Sequence, residues 1–243
     1  MIDFHTHILP GIDDGSRSIE KSLEMLRTAR DSGIDTVIAT PHFYPERENP
    51  ESFLSRREEA IRKLQAALTP DLPQICIGAE VAFFDGISRS DRILGLGIEG
   101  TGLILVEMPF MRWSASDIEE ICSVYPRLGL TPIIAHIERY MDYQHAGTLP
   151  YLIKNGILIQ SNGEFFLDKR TQSRACRMLK NNMVHLLGSD CHDPEARPEN
   201  LGAAMEYILK RKGTDDLRRV AALGEKIMSA AETIAVPAVG VKE

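Results

Sequence analysis

No apolar run in this sequence approaches the ~18 residues of a membrane span, so a helical membrane protein is excluded. No lysine- and arginine-rich stripe is present either. With a formal net charge of −7, a nucleic-acid backbone is a poor partner unless metal ions supply the positive charge. Cysteine is sparse: Cys76, Cys122, Cys176 and Cys191 are scattered without C-x-x-C pairing, which fits reduced thiols rather than a disulfide framework. No signal-like segment opens the chain and ligand-type residues begin at position 5, so a cytoplasmic protein without a leader is expected. Low-complexity stretches and interdomain linkers are missing too. With 43% hydrophobic and 26% charged residues, one soluble α/β domain over 1–232 is expected, followed by a loose tail at 233–243.

Short apolar runs recur, each followed by a polar cluster and a stretch of helical period, the pattern of repeated βα units. "MIDFH" reads as a strand. Ser16 or Ser18 then caps a helix in which Ile19, Leu23, Leu26 and Ala29 share a face and which Gly33 ends. "IDTVIATPH" is a second strand and "ESFLSRREEAIRKLQAAL" a helix stopping before Pro70. Further strands are expected at "QICIGAE", "GLILVE", "LTPIIAH", "GILIQSN" and "VHLLGSD", with helices over 116–128, 146–155, 170–182 and 198–211. The glycine-rich connection 85–101 has no readable period.

Six of these seven runs end in a potential metal ligand: His5 (with His7), His42, Glu80, Glu107, His136 and Asp190 (with His192). In a parallel α/β barrel the C-terminal strand ends converge on one face, so residues distant in sequence would meet there. One histidine beside a strand is weak evidence, since most are satisfied core or surface residues. "HTH" and "DCH" are stronger, because residues i and i+2 of an extended chain project together and can chelate one ion. Five of seven histidines at strand ends, with two glutamates, are hard to explain by packing. Asp14, in the "GIDDG" turn after His7, is a plausible ninth ligand, although Asp and Gly favour turns in any case. Nine candidates exceed the roughly four ligands of one zinc-like ion, so a cluster of two or three ions is expected. Mixed imidazole and carboxylate ligands suit manganese, iron or zinc.

Four ligand carboxylates and three divalent ions leave a site charge of about +2, which attracts a phosphate dianion. Bound metal lowers the pKa of water to ~7, so a metal-bound hydroxide serves as nucleophile and no nucleophilic side chain is needed. Arg139 and Arg197 could grip phosphate oxygens with guanidinium forks; the plainer alternative for each is a surface ion pair. "CHDPEAR" has the C-x5-R spacing of a cysteine-dependent phosphatase loop. It lacks glycine, contains a proline without an N–H and carries two carboxylates that repel phosphate, so Cys191 reads as a spacer.

"DFHTHILPGIDDGS", "ATPHFYP", "GAE", "VEMPF", "AHIERY" and "GSDCH" together resemble the PHP (polymerase and histidinol phosphatase) superfamily. They are most similar to its bacterial protein-tyrosine phosphatases of capsule and exopolysaccharide regulation. Other branches commonly have histidine where Asp14 stands. The resemblance implies a distorted (β/α)7 TIM-like barrel with three divalent ions, manganese first, iron or zinc as alternatives. It assigns His5, His7, Glu80 and Asp190 to one ion, Glu80, Glu107 and His136 to a second, and Asp14, His42 and His192 to a third. Arg139 matches a phosphate-binding arginine, and Arg197 lies in the expected loop. The implied activity is hydrolysis of phosphotyrosine on the tyrosine-rich tail of a bacterial kinase that regulates polysaccharide export, with Asp14 or His192 protonating the leaving group. Phe43, Tyr44, Phe110 and Trp113 could contact the phenol ring. The rival readings are a histidinol-phosphate phosphatase, a PHP-type exonuclease and a non-catalytic binder of a kinase tail.

Overall fold

Runs rich in Ile, Val and Leu and buried on both faces fold as parallel strands between helices. The computed structural model describes residues 1–229. Its strands are β1 (Ile2–Thr6), β2 (Thr36–Ala39), β3 (His42–Phe43), β4 (Gln74–Ile77), β5 (Glu80–Ala82), β6 (Leu103–Glu107), β7 (Thr131–Ile134), β8 (Leu158–Asn162) and β9 (Leu186–Gly188). All pair in parallel, in the orders β1-β2-β4 and β3-β5-β6-β7-β8-β9. The strand expected over "IDTVIATPH" is thus two pieces, β2 and β3, divided at Thr40 and Pro41, where proline supplies no N–H to a ladder. "QICIGAE" divides likewise at Gly78 and Ala79. A Cβ on Gly78 would come within 3.1 Å of the Ile98 side chain, so the chain passes too close for anything larger without adjustment.

A parallel bridge between Thr6 and Cys191 brings the two ends of this arrangement together. The His7 N–H donates to the Cys191 carbonyl at 2.9 Å, and the Asp190 N–H to the His5 carbonyl at 2.8 Å. The result is a curled parallel sheet whose strands all point the same way. Alternate residues sort into two apolar clusters: Val37, Ile75, Ile104, Ile134 and Leu187 in the larger, Ile38, Cys76, Leu105, Ile133 and Leu186 in the smaller. That is the period-2 signature of strands covered on both sides.

The helices are α1 (Ile19–Asp31), α2 (Pro50–Gln65), α3 (Ala115–Leu128), α4 (Thr148–Lys154), α5 (Glu164–Leu167), α6 (Gln172–Lys180), α7 (Leu201–Lys210) and α8 (Thr214–Met228). Ser18 caps α1, its side chain accepting from the Lys21 N–H. Helix α2 begins earlier than the apolar pattern suggests, because Asn49 caps it and Pro50 occupies its first turn. Helix α8, over which no element is expected from the sequence, packs Leu223 and Ile227 against the smaller cluster. The connection 85–101 consists of two 3-10 segments, Ile87–Arg89 and Asp91–Leu96. Buried Arg57 ties it down by donating to the carbonyls of Gly78 and Gly95. No helix among the described residues is long and apolar enough to cross a membrane. The tail expected at 233–243 lies outside the described residues.

Candidate metal centre

His5 and His7 leave the end of β1 on one side, and the Thr6 hydroxyl turns to the other, donating to the Ile38 carbonyl at 2.9 Å. Both imidazoles are fully buried, with their Nε2 atoms 3.1 Å apart. Each has its other nitrogen tied outward: His7 Nδ1 lies 2.8 Å from Asp13 Oδ2, and His5 Nδ1 3.4 Å from Gln160 Oε1. His192 repeats the device, its Nδ1 3.0 Å from the Asp190 carbonyl. An Nδ1–H donated to such an acceptor leaves the Nε2 lone pair facing inward, the tautomer of a metal-ligating histidine.

Glu80 joins the two halves of the site. Its Oε1 is 2.8 Å from His136 Nε2, and its Oε2 is 2.9 Å from His42 Nδ1 and 3.2 Å from His5 Nε2. Asp190 Oδ1 stands 3.6 Å from His5 Nε2 and 3.5 Å from His7 Nε2. Exposed Asp14 places Oδ1 3.5 Å from Nε2 of both His42 and His192, and Glu107 Oε1 is 3.6 Å from His136 Nε2. All nine sequence candidates therefore meet at one face of the curled sheet. The donor atoms of eight of them form three groups, each within 4.8 Å: His7, Asp14, His42 and His192; His5, His7 and Asp190; His42, Glu80 and Glu107; His136 joins none of the three, and His7 stands in two. His42 stands in two of them, where the family resemblance assigned it to one ion.

Four buried atoms at this focus, His42 Nδ1, Glu80 Oε2, His136 Nδ1 and His192 Nε2, have no hydrogen-bond partner among the described residues. Two of these, His42 Nδ1 and Glu80 Oε2, are close without hydrogen-bond geometry, as ligands around a common point would be. An unpaired buried polar atom costs about 1–3 kcal/mol, so this concentration marks a site that something else completes. Imidazole nitrogens and carboxylate oxygens without thiolate fit a divalent ion such as manganese, iron or zinc. The electrostatics agree. Burial disfavours a charged His7, yet the hydrogen bond to Asp13 and the neighbouring Glu80 carboxylate win and raise it to about 10. His136 rises to about 9 because Glu107 and Glu80 outweigh burial in the same way. Burial also opposes charge on Glu80, but neighbouring His5 and the hydrogen bond with His136 hold it well below the usual carboxylate range. Around Glu80 the centre thus favours positive charge, while burial and then the His7 charge push His192 down to about 4.

Arg139, in a 3-10 turn after β7, and Arg197 both donate to Asp190 Oδ2, Arg197 at 2.6 Å. They line a cavity of about 230 Å³ with Asn162, Ser189 and Asn200. Cys191 is buried, and burial followed by the charges of Asp3 and Glu199 pushes its thiol far up, away from a thiolate. The N–H groups of the following loop turn inward, His192 N to the Arg197 carbonyl and Glu195 N and Ala196 N to Asp193 Oδ1, so they form no phosphate cradle. Of the four aromatic candidates, Phe43 packs on Phe53 in the core, and buried Trp113 donates Nε1–H to the Pro109 carbonyl. Tyr44 and Phe110 sit at the mouth, stacked on His42 and His136.

Sequence reasoning left three residues without a role. Asp13, recognised only as part of a turn, accepts from the His42 N–H as well as from His7. Gln160 and Asn162 come from "GILIQSN", the one run with no ligand at its end, and reach His5, His136 and Asp190. Their signal was the polar "QSN" closing an apolar strand.

The family model described as capsular polysaccharide synthesis, CpsB/CapC, matches residues 1–228. The tyrosine-protein phosphatases CpsB of Streptococcus pneumoniae and YwqE of Bacillus subtilis (strain 168) are each 30% identical over 224 residues. These alignments cover 88% of this chain, and 91% and 86% of the two relatives. A solved structure from work on YwqE and CpsB, described as unique metal-dependent tyrosine phosphatases, matches with a TM-score of 0.77 at 24% identity, covering 98% of this chain and 96% of that one. The fold is shared.

Proposed function

As a member of the CpsB/CapC capsular polysaccharide synthesis family, to which this chain belongs, the protein is, we propose, a metal-dependent protein-tyrosine phosphatase. We read the curled sheet as the distorted (β/α)7 barrel of the PHP type. The nine clustered residues are read as ligands of three divalent ions, manganese first, with the substrate the tyrosine-rich tail of a capsule-regulating kinase at the cytoplasmic side of the membrane. One observation carries this reading: Asp190 faces His5 and His7 with one oxygen and Arg139 and Arg197 with the other. A cation site and two anion-binding forks therefore share a single carboxylate.

Divalent ions in this centre supply Lewis-acid stabilisation of the phosphoryl oxygens and activation of water at neutral pH. The chain's own side chains do the rest. A guanidinium has five N–H donors, so each arginine can hold Asp190 and still present part of its fork to phosphate oxygens. Asp14, exposed at the mouth between His42 and His192, would relay the proton given up by the attacking water to the departing phenol oxygen. A phenol of pKa ~10 needs less of that help than an alkyl alcohol. Tyr44 and Phe110 offer ring faces at the same mouth.

The test is turnover of a phosphotyrosine peptide and of histidinol phosphate by wild type, Cys191→Ser and His192→Ala, each with and without chelator. The peptide is the expected substrate. The serine variant should stay active, while the alanine variant and the chelated enzyme should not. Loss of activity in Cys191→Ser with metal content intact would refute the water-nucleophile reading, and preference for histidinol phosphate would move the protein to the rival branch.

A further inference from the structure

Strand β8 lies between β7 and β9, and it alone of the apolar runs ends without a candidate ligand. Its neighbours end in His136 and Asp190, and both hold left-handed backbone conformations rare for side chains larger than glycine, at φ 29° and φ 54°. Something must hold those two residues in place. The side chains of Gln160 and Asn162, fully and almost fully buried, alternate to the same face of β8 and reach both.

The direction of every hydrogen bond in this group follows from one backbone amide. The His136 N–H can only donate, and it lies 2.7 Å from Gln160 Oε1. That fixes the orientation of the Gln160 amide, so its Nε2 must donate, and it does so to Asn162 Oδ1 at 2.9 Å. Asn162 Nδ2 in turn donates to Asp190 Oδ2 at 3.0 Å. At the other end Gln160 Oε1 accepts from His5 Nδ1, which leaves His5 Nε2 without a proton and aimed at Glu80 and Asp190. Gly188 on β9 leaves space for the relay: a Cβ there would lie 2.6 Å from Gln160 Nε2 and 2.6 Å from His5 Cβ.

We infer that Gln160 and Asn162 are positioning residues, an amide relay from the ligand-free strand that sets the His5 tautomer, the strained His136 backbone and the Asp190 carboxylate for metal binding. The inference rests on the metal-centre reading above. It requires both amides intact and in one orientation, which a merely space-filling role does not.

Gln160→Met keeps length and apolar volume but removes acceptor and donor. Gln160→Glu restores the acceptor for His5 and His136 while losing the donor to Asn162. Metal affinity is measured by competition of manganese-loaded protein with a chelator, alongside thermal unfolding of the metal-free proteins. Loss of a group that orients a ligand typically weakens metal binding 10- to 100-fold, and Gln160→Met should fall in that range. Gln160→Glu should recover part of the loss. Wild-type affinity in Gln160→Met, or equal loss in the methionine and glutamate variants, would overturn the inference. A wild type that retains metal but hydrolyses no phosphotyrosine would instead overturn the phosphatase reading, leaving the affinity comparison standing.

Discussion

The two faces of β1 differ in what completes them. On one, Ile2 and Phe4 pack against α8, close enough that a Cβ on Gly224 would be 3.1 Å from the Phe4 ring. On the other, Asp3, His5 and His7 are fully buried, but Asp3 Oδ2 has no partner among the described residues and the two imidazoles aim their Nε2 atoms at each other's space. Residues 4 and 5 are adjacent in sequence and indistinguishable in burial. The apolar face packs on the chain's own helix, whereas the polar face turns donor atoms toward a common point that the chain leaves unfilled. Stability and function are thereby divided between alternate residues of one strand.

The division can be broken most severely at Phe4. Phe4→Ala removes a fully buried ring and should lower the unfolding free energy by about 3–5 kcal/mol. Metal uptake and turnover per folded molecule should stay at wild-type level, as measured by denaturant unfolding beside metal analysis. A loss of metal affinity in this variant would mean that the two faces are coupled through the strand and that the comparison fails.

Asp13→Asn probes the other face with a smaller expected effect. Asp13 accepts from His7 Nδ1, the His42 N–H and the Gly15 N–H, and these contacts together with the His7 charge hold it down at about 2 although burial pushes the other way. An asparagine cannot accept on both sides. If its NH2 faces His7, the ring must move its proton to Nε2, where it blocks the lone pair that would meet an ion. A 10- to 100-fold weaker metal affinity is expected, equivalent to about 1.4–2.7 kcal/mol. Unchanged affinity would show that His7 needs no orienting carboxylate.

These two residues also mark what could be read from the sequence. The ligand set was legible because it consists of chemically distinctive side chains at a repeated position, the closing residue of an apolar run. Phe4 lay inside the expected strand "MIDFH", although nothing in that run told which side it would face. Asp13 was not legible, since an aspartate in "DDG" is already accounted for by turn chemistry, and only its contact with His7 across the turn separates it from Asp14. Gln160 and Asn162 are uncharged amides, whose role exists only through partners 24 to 155 residues away. The division of the β4–β5 run was hidden for another reason: it goes with how closely Gly78 passes Ile98, a tertiary distance with no local signature, whereas that of β2–β3 has a local mark in Pro41, inside the run expected as one strand.

The smallest expected effect is at Gly224, where two terms oppose each other. Glycine inside α8 costs about 1 kcal/mol relative to alanine through backbone entropy, so Gly224→Ala should stabilise the helix by that amount. The added methyl would meet Phe4 at 3.1 Å and Ile2 at 3.3 Å, so both side chains must yield by a few tenths of an ångström. Overpacking a core by one carbon costs about 1 kcal/mol at the low end, and here the contacts are side-chain tips rather than backbone. The terms nearly cancel, and Tm should stay within about 2 °C of wild type. A fall of many degrees would show that the apolar face of β1 is packed without slack. A rise of several degrees would show that glycine is kept at 224 for something other than stability, and that this face, too, is not complete by packing alone.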